Sequence, residues 1–136
     1  MRDRLTLFFD GGCRPNPGPM ETAVVVRGVA HVRADLGEGD NNAAEWLALL
    51  HAAELARAAG VQDVLLVGDA ATVVNQALGR WRCRSAHLLP YLDRYRVTVA
   101  GIARVHLRHV RRSRNLAGIV LDRRAASLLS GGAAAG

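Results

Sequence analysis

Trp46-Leu47-Ala48-Leu49-Leu50-His51-Ala52-Ala53-Glu54-Leu55, closed by Gly60 and followed by Asp63-Val64-Leu65-Leu66-Val67-Gly68-Asp69, decides the fold class. Trp46, Leu47, Leu49, Leu50, Ala53 and Leu55 recur at helical spacing, and Gly60 is a natural helix stop. The run Asp63–Gly68 is short, apolar and bounded, which predicts a buried strand ended by Asp69. Ala70 to Leu78 follows as a second helix, closed by Gly79. Upstream, Leu5-Thr6-Leu7-Phe8-Phe9 reads as another buried strand, ended by the breaker Asp10-Gly11-Gly12. Strand, helix, strand, helix implies a parallel pair joined by a crossover, and hence an α/β domain.

The remaining segments extend that unit. Thr22–Arg27 and His31–Leu36 flank Gly28 and predict two antiparallel strands with a tight turn. The loop from Cys13 to Pro19 carries three of the four prolines and is expected to be irregular. Ser85 to Tyr95 reads as a helix with Pro90 near a bend or start, Arg104 to Val110 as a strand, and Asn115 as the opening of a helix reaching about Leu129. Residues 1–130 are expected to form one domain, and 131–136 a flexible tail of small residues.

Composition excludes several classes. With 136 residues, 50% apolar and 22% charged, the chain can bury a core, and intrinsic disorder is excluded. No apolar run approaches the roughly 18 residues of a membrane span, and the start lacks a signal-peptide layout, so a cytoplasmic protein is expected. Cys13 and Cys83 are too few for a disulfide framework and lack zinc-finger spacing. No strong oligomerisation signal is visible, so a monomer is expected. The 18 basic residues are all arginine and give a net charge of +6. Residues 1–79 hold 6 arginines against 10 acids, whereas residues 80–136 hold 12 against 2. A genome bias toward arginine accounts for the residue type, but not for this asymmetry. The second half is a candidate polyanion surface.

Three acids fall where elements begin or end: Asp10 after the first strand, Glu45 early in the long helix, and Asp69 after the fourth strand. Each has a structural explanation of its own. Asp10 suits a turn, Asp69 a helix cap, and Glu45 three residues after Asn42 resembles a capping box. Taken together, carboxylates at adjacent strand ends and a nearby helix start can converge, and they repel one another unless cations neutralise them. Oxygen-only ligands suit Mg²⁺ or Mn²⁺, and two such ions about 4 Å apart can clamp the attacking and leaving oxygens of a phosphodiester. Acids beside an arginine-rich half point to a metal-dependent enzyme acting on nucleic acid.

These residues resemble the type 1 ribonuclease H family. The likeness is carried by Phe9-Asp10-Gly11-Gly12-Cys13-Arg14-Pro15-Asn16-Pro17-Gly18, by Gly37-Glu38-Gly39-Asp40-Asn41-Asn42-Ala43-Ala44-Glu45, and by Gly68-Asp69 with Val73-Val74-Asn75-Gln76. Gly79-Arg80-Trp81-Arg82-Cys83-Arg84 and the segment from Val105 to Asn115 extend it. The resemblance implies a ribonuclease H-like fold with a five-stranded mixed sheet of order 3-2-1-4-5. It also implies two-metal hydrolysis of the RNA strand of an RNA/DNA hybrid, leaving a 5′-phosphate and a 3′-hydroxyl. Asp10, Glu45 and Asp69 would be three of four metal-binding carboxylates. Gly11, Gly12 and Cys13 main-chain groups with Asn16, Asn41 and Asn42 would meet the hybrid in its minor groove, where the 2′-hydroxyl distinguishes RNA from DNA. Arg80, Arg82 and Arg84 would hold phosphates, with Trp81 stacked on a sugar or serving as a core anchor.

The pattern breaks at the fourth acid. The family places it after Asn-x-x-Ala, but here Asn115-Leu116-Ala117-Gly118 runs one residue short, with Gly where the acid would stand. Asp122 lies one helical turn beyond Gly118, on the same face, and is the expected substitute, against the reading of a solvated acid beside Arg123 and Arg124. Two readings compete with the nuclease: a hybrid or double-stranded RNA binder that has lost catalysis, and a junction resolvase of the same superfold. Three self-repelling acids are of no use to a pure binder, and the asparagine motifs suit a hybrid groove better than a DNA junction.

Overall fold

The computed structural model describes residues 4–135. The apolar run at Leu5 forms β1 (Leu5–Cys13), which continues through Asp10-Gly11-Gly12 instead of ending there. Gly11 makes this possible, because a Cβ at that position would collide with the Ala44 carbonyl of the neighbouring helix. β2 (Gly18–Val26) pairs antiparallel with β1, placing Ala23 opposite Asp10, and β3 (Val29–Arg33) pairs with β2 around the turn at Gly28. The expected irregular loop is therefore shorter than the proline content suggested, and the third strand ends before Ala34. Pro19 is accommodated at the start of β2, beside the two-residue strand β4 (Glu38–Gly39).

The chain then enters α1 (Asn41–Ala59), closed by Gly60 in the left-handed conformation. β5 (Asp63–Gly68) lies parallel to β1, α2 (Ala71–Ala77) and α3 (Leu89–Val99) follow, and β6 (Arg104–His109) lies parallel to β5. Pro90 sits in the first turn of α3, where its missing N–H costs no helical bond, so the helix starts at Leu89 and not at Ser85. A 3-10 turn (Arg112–Arg114) leads into α4 (Leu116–Ala135), which continues helically through residues expected to fray. The strand order is β3-β2-β1-β5-β6, with β4 attached to β2. This is the expected five-strand order, renumbered by one short extra strand.

The register sends alternate side chains to opposite faces of the sheet. Leu5, Leu7, Phe9, Val64 and Leu66 pack with Trp46, Leu49 and Leu50 of α1, Val73 and Val74 of α2, and Leu92 and Tyr95 of α3. On the other face, Ala23 and Val25 pack with Ala117 and Leu121 of α4. A buried polar pair crosses the first layer, where Thr22 Oγ1 lies 2.9 Å from His51 Nδ1. Burial, then the nearby Arg33 and His31 charges, lowers the His51 pKa from 6.5 to about 4. No helix of the described residues is long and apolar enough to cross a membrane.

Candidate active site

Parallel pairing of β1 with β5 brings their carboxyl ends together, and α1 begins beside them. One oxygen from each of Asp10, Glu45 and Asp69 lies within 4.8 Å of the others. Asp10 is 1% exposed and Glu45 8%. Glu45 owes its position to the close approach at Gly11, whose N–H donates to Glu45 Oε1 at 2.6 Å. The helix cap is Asp40, whose carboxylate accepts from the Ala43 N–H at 2.8 Å. The capping box expected from Asn42 and Glu45 is therefore absent, and the Glu45 carboxylate is directed into the cluster.

Asn115 is wholly buried and ties this end of the sheet together. Its Nδ2 donates to the Phe9 carbonyl and to Asp69 Oδ2, each at 2.9 Å, while its Oδ1 accepts from the Ala117 N–H at the start of α4. Arg112, which the sequence reading passed over, lies among the acids. Its Nη1 donates to Asp10 Oδ1 at 2.6 Å and to Asp69 Oδ2 at 3.0 Å, and its Nη2 donates to Asp122 Oδ1 at 3.0 Å. Asp122 thus reaches the cluster through one guanidinium, while its own side chain is 56% exposed and also faces Arg14 at 3.8 Å. The signal available in the sequence was Gly118, a missing side chain where an acid was expected.

Burial raises the Asp10 carboxyl above its usual range, against the opposing hydrogen bond from Arg112. Burial drives Glu45 further up, reinforced by the Asp10 charge. Partial burial disfavours the Arg112 charge, but its hydrogen bond to Asp10 and the surrounding carboxylates outweigh this and raise its pKa overall. Glu45 Oε2 is buried and has no hydrogen-bond partner among the described residues. An all-oxygen donor set with one orphaned buried oxygen fits a hard divalent cation.

An open cleft of about 390 Å³ joins Asp10 and Glu45 to the β1 loop, lined also by Gly12, Cys13, Asn41 and Arg112. In that loop the Cys13 N–H donates to Asn41 Oδ1 at 3.3 Å, and the Asn41 N–H donates to Asn16 Oδ1 at 3.2 Å. The Cys13 thiol, pushed up by burial and by the Asp40 charge, lies 3.4 Å from both amide oxygens. Asn16, Asn41 and Asn42 are exposed; Asn41 lines the cleft, Asn16 is bonded to it and Asn42 follows it in α1. Arg80, Trp81, Arg82 and Arg84 lie apart from it on the loop between α2 and α3, all exposed, with Trp81 at 50%. Trp81 is therefore no core anchor. Buried Cys83 and Leu88 hold that loop.

A mixed β3-β2-β1-β5-β6 sheet with helices on both faces, Asp10 within β1 just past its pairing with β5 and Asp69 just after β5 defines an α/β domain of the ribonuclease H-like class. A family model described as "Reverse transcriptase-like" matches residues 8–125. The chain is 34% identical over 117 residues to "Ribonuclease HI" of Halobacterium salinarum, covering 82% of this chain and 59% of that protein. The crystal structure of RNase H1 from that archaeon superposes with a TM-score of 0.79 at 30% identity, covering 85% of this chain and 91% of the other. The N-terminal RNase H domain of Rv2228c from Mycobacterium tuberculosis gives a TM-score of 0.78 at 28% identity, covering 92% and 98%. Against the whole of Rv2228c, a "Bifunctional protein", the chain spans 32% of the length. LC11-RNase H1 in complex with an RNA/DNA hybrid gives 0.74 at 25% identity, covering 83% and 89%. The chain belongs to the type 1 ribonuclease H family.

Proposed function

We propose that this protein hydrolyses the RNA strand of RNA/DNA hybrids endonucleolytically, leaving 5′-phosphate and 3′-hydroxyl ends. The observation that carries the reading is the convergence of Asp10, Glu45 and Asp69 within 4.8 Å, with buried Asp10 and Glu45 lining one open cleft. Bound Mg²⁺ or Mn²⁺, two ions in the scheme that the family resemblance implies, supplies Lewis-acid charge at the phosphate and lowers the pKa of a water. The chain supplies the positioning. The Gly11 N–H fixes one oxygen of Glu45 so that the other is available to a cation, and Asn115 fixes Asp69 against the end of β1.

Substrate selection falls to the cleft margin. Main-chain groups of Gly11, Gly12 and Cys13 that Glu45 and Asn41 leave free, with the amides of Asn16, Asn41 and Asn42, would read 2′-hydroxyls and base edges. The interlocking of Cys13, Asn16 and Asn41 sets those groups before substrate arrives. Arg80, Arg82 and Arg84 hold phosphates at a distance from the chemistry, which positions the duplex without reading its sequence. The reading extends to a monomer in the cytoplasm, where the free, buried Cys13 and Cys83 stay reduced.

Gly118 in place of the fourth acid supports a second reading, a hybrid-binding module without turnover. Incubation with labelled RNA/DNA hybrid, duplex DNA and duplex RNA, each with Mg²⁺ or Mn²⁺, separates the two. Metal-dependent cutting confined to the RNA strand of the hybrid is expected. Tight hybrid binding with no cutting under either metal would favour the binder.

A further inference from the structure

Arg112 brings a permanent positive charge into a site built of carboxylates. Its guanidinium donates to Asp10, Asp69 and Asp122 at 2.6 to 3.0 Å, and so engages all of the group Asp10, Glu45, Asp69 and Asp122 except Glu45. Glu45 is the acid it does not bond, and Glu45 Oε2 is the buried carboxylate oxygen with no partner among the described residues. The unfilled capacity for a cation is therefore on the side of Asp10 and Glu45. The side of Asp10, Asp69 and Asp122 is already occupied by the protein itself.

The backbone accommodates this occupancy. The Gly118 carbonyl accepts from Arg112 Nη2 at 3.4 Å. A Cβ at Gly118 would stand 2.9 Å from Arg112 Cζ, the mobile end of that side chain, so glycine lets the guanidinium lie against this turn without shifting. Gly118 and Arg112 are thus neighbours at the start of α4, with no side chain at Gly118 between the guanidinium and the helix backbone. The guanidinium places one positive charge against Asp10, Asp69 and Asp122, in the position where a cation would otherwise balance them. Guanidinium keeps its proton throughout the working pH range, so this charge is fixed.

We propose that Arg112 takes the place of one of the two cations, so that the cluster binds a single divalent ion, held by Asp10 and Glu45. The inference rests on the metal-dependent reading above and changes its stoichiometry. Asp122 then serves as an anchor for Arg112 and not as a metal ligand.

Metal-free protein titrated with Mn²⁺, by calorimetry and by electron paramagnetic resonance of the unbound ion, counts the sites without reference to activity. Circular dichroism checks that each variant is folded. The wild type and Arg112→Lys, which keeps the charge, are expected to bind one Mn²⁺, and Arg112→Gln two. Two ions bound by the wild type, or one by folded Arg112→Gln, would overturn the proposal while leaving a metal-dependent nuclease intact. The wild-type count decides the matter alone if Arg112→Gln does not fold. No uptake by any form would overturn the metal reading itself.

Discussion

The acids at the end of the sheet and the arginines between α2 and α3 are both charged groups assigned to one substrate, yet the fold treats them in opposite ways. Asp10 is 1% exposed and Glu45 8%, whereas Arg80, Arg82 and Arg84 are exposed, and so is the 50%-exposed Trp81 among them. Burying like charges side by side costs stability, and both carboxyls respond with raised pKa values, for which burial is the leading cause. Exposed guanidiniums cost almost nothing. A charge held at a cost to the fold therefore points to chemistry, while a charge held in water assists a partner only when one arrives.

The comparison is broken most severely at Glu45. Glu45→Gln is expected to lower hybrid cleavage by about 10³-fold, the several kcal/mol that metal charge stabilisation supplies. The same change removes a buried charge, so the metal-free variant is expected to melt about 4 °C higher, corresponding to about 1 kcal/mol. Parallel single-turnover assays and thermal melts check both signs. A variant that lost activity and stability together would show that Glu45 is structural.

His51 tests burial without metal chemistry. Its folded pKa of about 4 lies below its ordinary 6.5, so the unfolded chain takes up a proton first as pH falls. The stability it contributes is fully present above pH 6.5 and is lost progressively toward pH 4, up to about 3 kcal/mol. Urea unfolding at pH 7 and pH 4.5 is expected to show this loss, and His51→Gln, which can still meet Thr22 Oγ1, is expected to flatten it. The raised carboxyls act with the opposite sign, favouring the fold as pH falls from neutrality, so the comparison is sharpest in a Glu45→Gln background.

The exposed region gives smaller effects. Replacing Arg80, Arg82 and Arg84 together by alanine is expected to leave the chemical step and the melting temperature unchanged, and to flatten the slope of log affinity against log salt by about 2 to 3. Hybrid-binding titrations at several salt concentrations check this. Trp81→Ala is expected to weaken hybrid binding by about 1 kcal/mol with no loss of stability, because half of the ring already meets water. A marked drop in melting temperature would make Trp81 part of the core after all.

What the sequence made legible follows local rules. Asp10, Glu45 and Asp69 could be singled out because each ends or begins a periodic segment; the crossover gave the parallel pair, and the strand order came from the family resemblance. The helix cap was less legible, because Asp40 and Asn42 are both good capping residues and the choice depends on how the chain leaves β4. Pro19 obscured the start of β2, since its tolerance there depends on a two-residue neighbour, Glu38–Gly39, with no sequence signature of its own. Arg112 was the least legible of all. Among the 12 arginines of residues 80–136, the one that reaches the acid cluster is chosen by the open space beside Gly118 and by acids roughly 40 to 100 positions away in the chain.

The central claim is that the carboxylate cluster, and not the basic surface, performs the reaction. Cleavage of a labelled RNA/DNA hybrid by the wild type and by Asp10→Asn, in saturating Mn²⁺ and with hybrid affinity measured alongside, tests it most directly. The account predicts metal-dependent cutting of the RNA strand by the wild type, and hybrid binding without cutting by Asp10→Asn. Cutting by Asp10→Asn at the wild-type rate would contradict it.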